Sequence, residues 1–172
     1  MFDQLKFYGS CYRLNLANCR ELRKVADEAL NAGFYSPFLV DAALDAEDNL
    51  WGIGPAFVDA LPDLEVAVPE SDEDCIWIVL YHSIRQIATL AVEPKVGLAR
   101  IVKCNLYERS QELVGDSHDI QNLIRAYWQY EEILAVYLGD EFQQEGKAKV
   151  KDLDDEVIEH CQIWLGKHNV EM

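Results

Sequence analysis

Ser71-Asp72-Glu73-Asp74-Cys75-Ile76-Trp77-Ile78-Val79-Leu80-Tyr81-His82-Ser83-Ile84-Arg85-Gln86-Ile87-Ala88-Thr89-Leu90-Ala91 is the stretch on which the fold class turns. Its apolar run from Cys75 to Tyr81 suits a buried strand as well as a helix. The flanks arbitrate. Ser71 followed by three acids is an N-cap with first-turn carboxylates that complement a helix dipole. Ile76, Leu80, Ile84, Ile87 and Leu90 then carry a three-to-four spacing well past strand length. The spacing predicts a helix over 72–91, apolar nearly all round and therefore central and buried, with Trp77 enclosed.

The same punctuation extends outward. Asn18 precedes a helix over Cys19–Ala32 that Gly33 ends. Ser36-Pro37 reads as an N-cap with proline at the first helical position, leading to about Ala46 with Phe38, Leu39, Ala42 and Ala43 inward. A third helix follows Asp48-Asn49, best supported from Pro55 to Leu61 and stopped by Pro62. Beyond the central helix, Glu93-Pro94 starts another to about Tyr107, with Val96, Leu98, Ile101, Val102 and Leu106 facing in. Residues 109–118 read as a polar loop. Asp119–Leu138 reads as a long helix, Asp140–Lys151 as a polar connection with one helical turn, and Asp154–Leu165 as a last helix ended by Gly166. Near the start, Phe7-Tyr8-Gly9-Ser10-Cys11-Tyr12 suits a small hairpin turning at Gly-Ser. The expected fold is all-α, a compact single domain over residues 1–172 with about six to seven helices around the central one.

Composition narrows the function classes. Of 172 residues, 15 are Lys or Arg and 31 Asp or Glu, a formal net charge of −16. Such a chain repels nucleic-acid phosphates and anionic membrane surfaces, so neither is an expected partner. No apolar run approaches the roughly 20 residues a spanning helix needs. The opening Met1-Phe2-Asp3-Gln4-Leu5-Lys6 is mixed rather than signal-like, and Cys11, Cys19, Cys75, Cys104 and Cys161 form no Cys-x-x-Cys pair. These features predict reduced thiols in a cytoplasm.

Motifs for chemistry are sparse, and no segment carries a family signature. There is no Gly-x-Ser-x-Gly elbow and no Gly-Lys-Ser/Thr loop. Gly52-Ile53-Gly54 lacks a third glycine and reads as close helix packing beside Trp51. Among His82, His118, His160 and His168, only Glu156 and His160, with Cys161 adjacent, approach metal-ligand spacing, and a weak surface contact is the commoner cause. No metal or other cofactor is expected. His82 and Arg85, on the otherwise apolar central helix, read as a structural ion pair or, less often, as the wall of a pocket.

Charge placement is the most informative feature. From Val25 to Ile84 there is no Lys or Arg but thirteen acids, a lopsided distribution that steers an oppositely charged partner. The expected function is a non-enzymatic module binding a basic protein, as an inhibitor, immunity-type neutraliser or adaptor. The expected contact residues are Asp41, Asp45, Asp48, Trp51, Asp59, Asp63, Asp72, Asp74 and Trp128. Two other readings stay open: an enzyme or small-molecule binder with a pocket at His82 and Arg85, and a helical scaffold. The latter draws on a faint echo between Phe38-Leu39-Val40-Asp41-Ala42 and Phe57-Val58-Asp59-Ala60-Leu61. A solvated acidic face without a partner is the plainest alternative to all three.

Overall fold

In the computed structural model, which describes residues 1–45, 49–103, 120–137 and 143–168, helices run over Phe2–Arg13 (α1), Cys19–Asn31 (α2), Pro37–Leu44 (α3) and Leu50–Asp63 (α4). They continue over Asp72–Ala88 (α5), Pro94–Lys103 (α6), Ile120–Val136 (α7) and Gln143–Lys167 (α8). These occupy 80% of the described residues, which contain no strand. The chain is all-α. No helix among the described residues is long and apolar enough to cross a membrane.

α5 forms for the reasons its sequence gives. The backbone N–H of Asp74 donates to Ser71 Oγ at 3.0 Å, and the hydroxyl donates back to the Asp74 carboxylate at 3.0 Å. Cys75, Ile76, Ile78, Val79, Leu80, Ile84 and Ile87 are all buried. Trp77 is only half-buried, because it shares the exposed edge of the helix with Glu73. The helix ends at Ala88 rather than Ala91, since Leu90 turns the chain with φ 56°.

The chain divides into two compact units, Met1–Val79 and Leu80–Met172. In the first, α3 packs on α2 and α4, and α1 packs on α2 and α4. α2 opens with a reciprocal cap: Glu21 N–H donates to Asn18 Oδ1 at 3.0 Å, and Asn18 N–H to the Glu21 carboxylate at 3.2 Å. Ser36 does not cap α3 with its side chain. Its buried hydroxyl instead donates to Asp63 Oδ2 of α4 at 2.7 Å. α4 starts a turn and a half before Pro55, at Leu50, because the Asn49 side chain accepts the Trp51 N–H at 2.9 Å. It also runs through Pro62. Phe38 is exposed rather than inward.

The expected hairpin at Phe7–Tyr12 is the middle of α1. Both residues of the Gly-Ser pair have helical roles: a methyl group on Gly9 would come within 2.6 Å of Val68 Cγ2, and Ser10 Oγ donates to the Lys6 carbonyl at 2.9 Å. Glycine is there for close approach, not for a turn.

In the second unit α7 packs on α8, and α6 packs on both. Leu98 and Ile101 of α6 face inward, but Val96 is exposed; Leu106 and the 109–118 loop lie outside the described residues. The expected connection at Asp140–Lys151 is, from Gln143, the opening of a single long α8. Tyr137 orders it: the ring packs against Gly146, its hydroxyl donates to Glu145 Oε1 at 3.0 Å, and Lys149 bridges the hydroxyl and the Glu145 carboxylate. Trp164, Tyr130 and Cys161 fill this unit's core.

Candidate functional site: an acidic and aromatic face on α3 and α4

The acids that composition grouped together separate by structural role. Asp72 pairs with Arg13 Nε at 3.2 Å, and Asp74 caps α5. Asp63 accepts the Ser36 hydroxyl. Asp45 follows the last turn of α3; its carbonyl accepts Arg23 Nη2 at 2.5 Å, and its carboxylate lies against Gly52. Asp48 lies outside the described residues. Asp41 and Asp59 differ from these: both are exposed, and among the described residues neither makes an ion pair or side-chain hydrogen bond.

The echo between α3 and α4 explains their matching positions. Its register is set by Val-Asp-Ala, not by the phenylalanines. Leu39 and Phe57 are buried, Val40 and Val58 half-buried, Asp41 and Asp59 exposed, and Ala42 and Ala60 buried again. Two adjacent, mutually packed helices therefore present an aspartate outward at equivalent points.

Apolar groups share these outward faces. On α4 the exposed stripe is Trp51, Pro55, Asp59 and Pro62, at spacings of four, four and three that keep one helical face. Trp51 is 89% exposed, while Gly54 behind it receives the Tyr12 ring. On α3, Phe38 and the 74%-exposed Leu44 flank Asp41. A tryptophan left almost wholly in water is unusual for a residue that ordinarily buries much of its large surface. The C-terminal end of α4 adjoins a groove of about 490 Å³ lined by Val58, Leu61, Pro62, Glu65, Val66, Ala67 and Val68.

The remaining expected positions lie elsewhere. Trp128 is 55% exposed on α7, edge-on to Tyr127 with ring centroids 5.4 Å apart. Arg85 is exposed, so it is not the buried cation that its apolar neighbours suggest, and His82 is half-buried. A second groove, of about 320 Å³ between α7 and α8, contains Glu132, Lys149, Asp152 and Glu156. Neither groove is lined by His82 or Arg85. Among the described residues no three His, Cys, Asp or Glu side chains gather as metal ligands would.

Sequence reasoning missed Glu65 and the full outward stripe of α4. The stripe was legible as a spacing, but two prolines hid the continuity of the helix. Glu65 carried no local signal. No protein-family model matches this chain, and comparisons with curated proteins and with solved structures returned no match.

Proposed function

We propose that this chain is a non-enzymatic protein-binding module whose α3–α4 face receives a basic protein partner, in the manner of an inhibitor, immunity-type neutraliser or adaptor. The observation that supports this most is Trp51, 89% exposed, on a face whose two outward aspartates have no intramolecular partner among the described residues. Exposed Trp beside charge is the composition of an interface anchor. Residues 1–79 carry fifteen acidic and five basic side chains, ten net negative charges, so encounter with a cation-rich surface is favoured. The thiols Cys11, Cys19, Cys75 and Cys161 form no disulfide among the described residues, which suits a reducing cytoplasm.

The test is kinetic. A partner captured from the native cell is measured by stopped flow across a salt series against wild type, the Asp41→Asn/Asp59→Asn double variant and Trp51→Ala. Removing the two carboxylates slows association about threefold or more at low salt and leaves dissociation nearly unchanged. Trp51→Ala speeds dissociation by about tenfold or more. An association rate indifferent to both salt and the aspartates reduces the acidic face to solvation and ends this reading.

A further inference from the structure

α1, α2, α4 and α5 all close in the same way. In each, the residue after the C-cap has positive φ and donates its N–H to the helix, and the next N–H reaches one residue further back. This is the Schellman closure. α1 uses Asn15 and α2 uses Gly33, the residue types that adopt this backbone most readily. α4 uses Glu65, at φ 58°; its N–H donates to the Pro62 carbonyl at 3.0 Å, and the Val66 N–H to Leu61 at 2.9 Å.

Glutamate is doubly unfavourable there. Its Cβ crowds the backbone in the left-handed region, and its carboxylate stands at the negative end of the α4 dipole. Among the described residues no side-chain hydrogen bond or ion pair of the exposed Glu65 compensates for this placement. Yet it stands at the mouth of the groove of about 490 Å³. Every other lining residue is apolar, and Pro62 joins that lining to the outward stripe of α4. Asp63 and Asp59 lie within six residues, and no Lys or Arg occurs between Val25 and Ile84.

Resting on the reading of a basic partner, we propose that this groove is the subsite that takes an aliphatic side chain of that partner, with Glu65 holding an adjacent Lys or Arg at its rim. A purely cationic ligand would leave the apolar lining in water. A purely apolar one would draw an unpaired carboxylate out of water, which is costly. A basic amphipathic segment satisfies both. The volume lies within the range of small-ligand pockets, ample for one or two aliphatic side chains.

The probes are two 16-residue peptides of equal charge, one alternating Lys with Leu and one alternating Lys with Ala, titrated by calorimetry at low salt into the full chain. The Lys/Leu peptide binds about tenfold or more tightly than Lys/Ala, as expected for burying one or two larger side chains. Ala67→Phe occupies the groove from an exposed position, so the circular dichroism spectrum is retained. It abolishes most of that difference without weakening Lys/Ala. Glu65→Gln weakens both peptides severalfold, and Leu90→Gly, which changes the equivalent turn of α5, weakens neither. Equal binding of the two peptides, or indifference of Lys/Leu to Ala67→Phe, overturns the subsite. If Asp41→Asn/Asp59→Asn still weakens binding in that case, only the subsite is lost; if it does not, the parent reading fails with it. Sedimentation showing self-association that Ala67→Phe dissolves makes a second copy the occupant and likewise overturns the proposal.

Discussion

Tyr130 and Cys161 show how buried polar atoms are managed in the second unit. The Tyr130 ring is fully enclosed, and its hydroxyl donates to Asp154 Oδ1 at 2.7 Å. Burial, followed by the bond to Asp154 and its charge, pushes the Tyr130 phenol above its ordinary range. Burial alone pushes the Cys161 thiol to about 12, and burial is also the main reason that the Cys75 thiol is raised. For each, the folded chain keeps its proton to a higher pH than the unfolded chain does. The stability they contribute is therefore complete below the unfolded values, about 8.5 for a thiol and about 10 for a phenol. It is lost as pH rises from there toward the folded values. The denaturant midpoint is expected to fall between pH 8.5 and pH 11, with a shallower fall in Cys161→Ala. A midpoint flat over that window would mean these side chains are already open to water.

Helix ends divide into those that local chemistry writes and those that it does not. Starts were readable because caps act over three residues: Asn18 with Glu21, and Ser71 with Asp74, are visible in the sequence and present in the fold. The end at Gly33 was readable for the same reason. Leu90 and Glu65 were not, since neither residue prefers positive φ, and the closure there is held by backbone bonds to the preceding turn. Replacing Leu90 with Gly is expected to stabilise the chain by about 0.5–1 kcal/mol, the left-handed penalty relieved less the entropy glycine adds to the unfolded state. Gly33→Ala, at φ 87°, costs about 1 kcal/mol. Chemical denaturation measures both, and equal effects of the two substitutions would refute the assignment. The misread elements failed for one shared physical reason. Gly9-Ser10 looks like a turn, and Gln143–Lys151 looks like a polar loop, because what makes each helical arrives from elsewhere: Val68 against Gly9, and Tyr137 against Gly146.

At the scale of the whole molecule, the all-α architecture was legible from apolar periodicity, and the charge asymmetry from counting. The α3–α4 face was legible only in part. Asp41, Asp59 and Trp51 stand outward, whereas Asp63 and Asp72 have partners inside the chain that no spacing reveals. Such partners depend on residues 27 and 59 positions away for Asp63 and Asp72, beyond any local pattern. The cysteines, finally, make the protein its own stopwatch. Cys11 and Cys75 are sealed in the first unit and Cys161 in the second, while Cys19 is half-accessible. Among these four thiols, an alkylating reagent should tag Cys19 first and reach the other three only when their surroundings open. Mass spectrometry of the labelling course in mild denaturant then times each unit separately: matched rates for Cys75 and Cys161 mean the halves open as one, and divergent rates mean that they open apart.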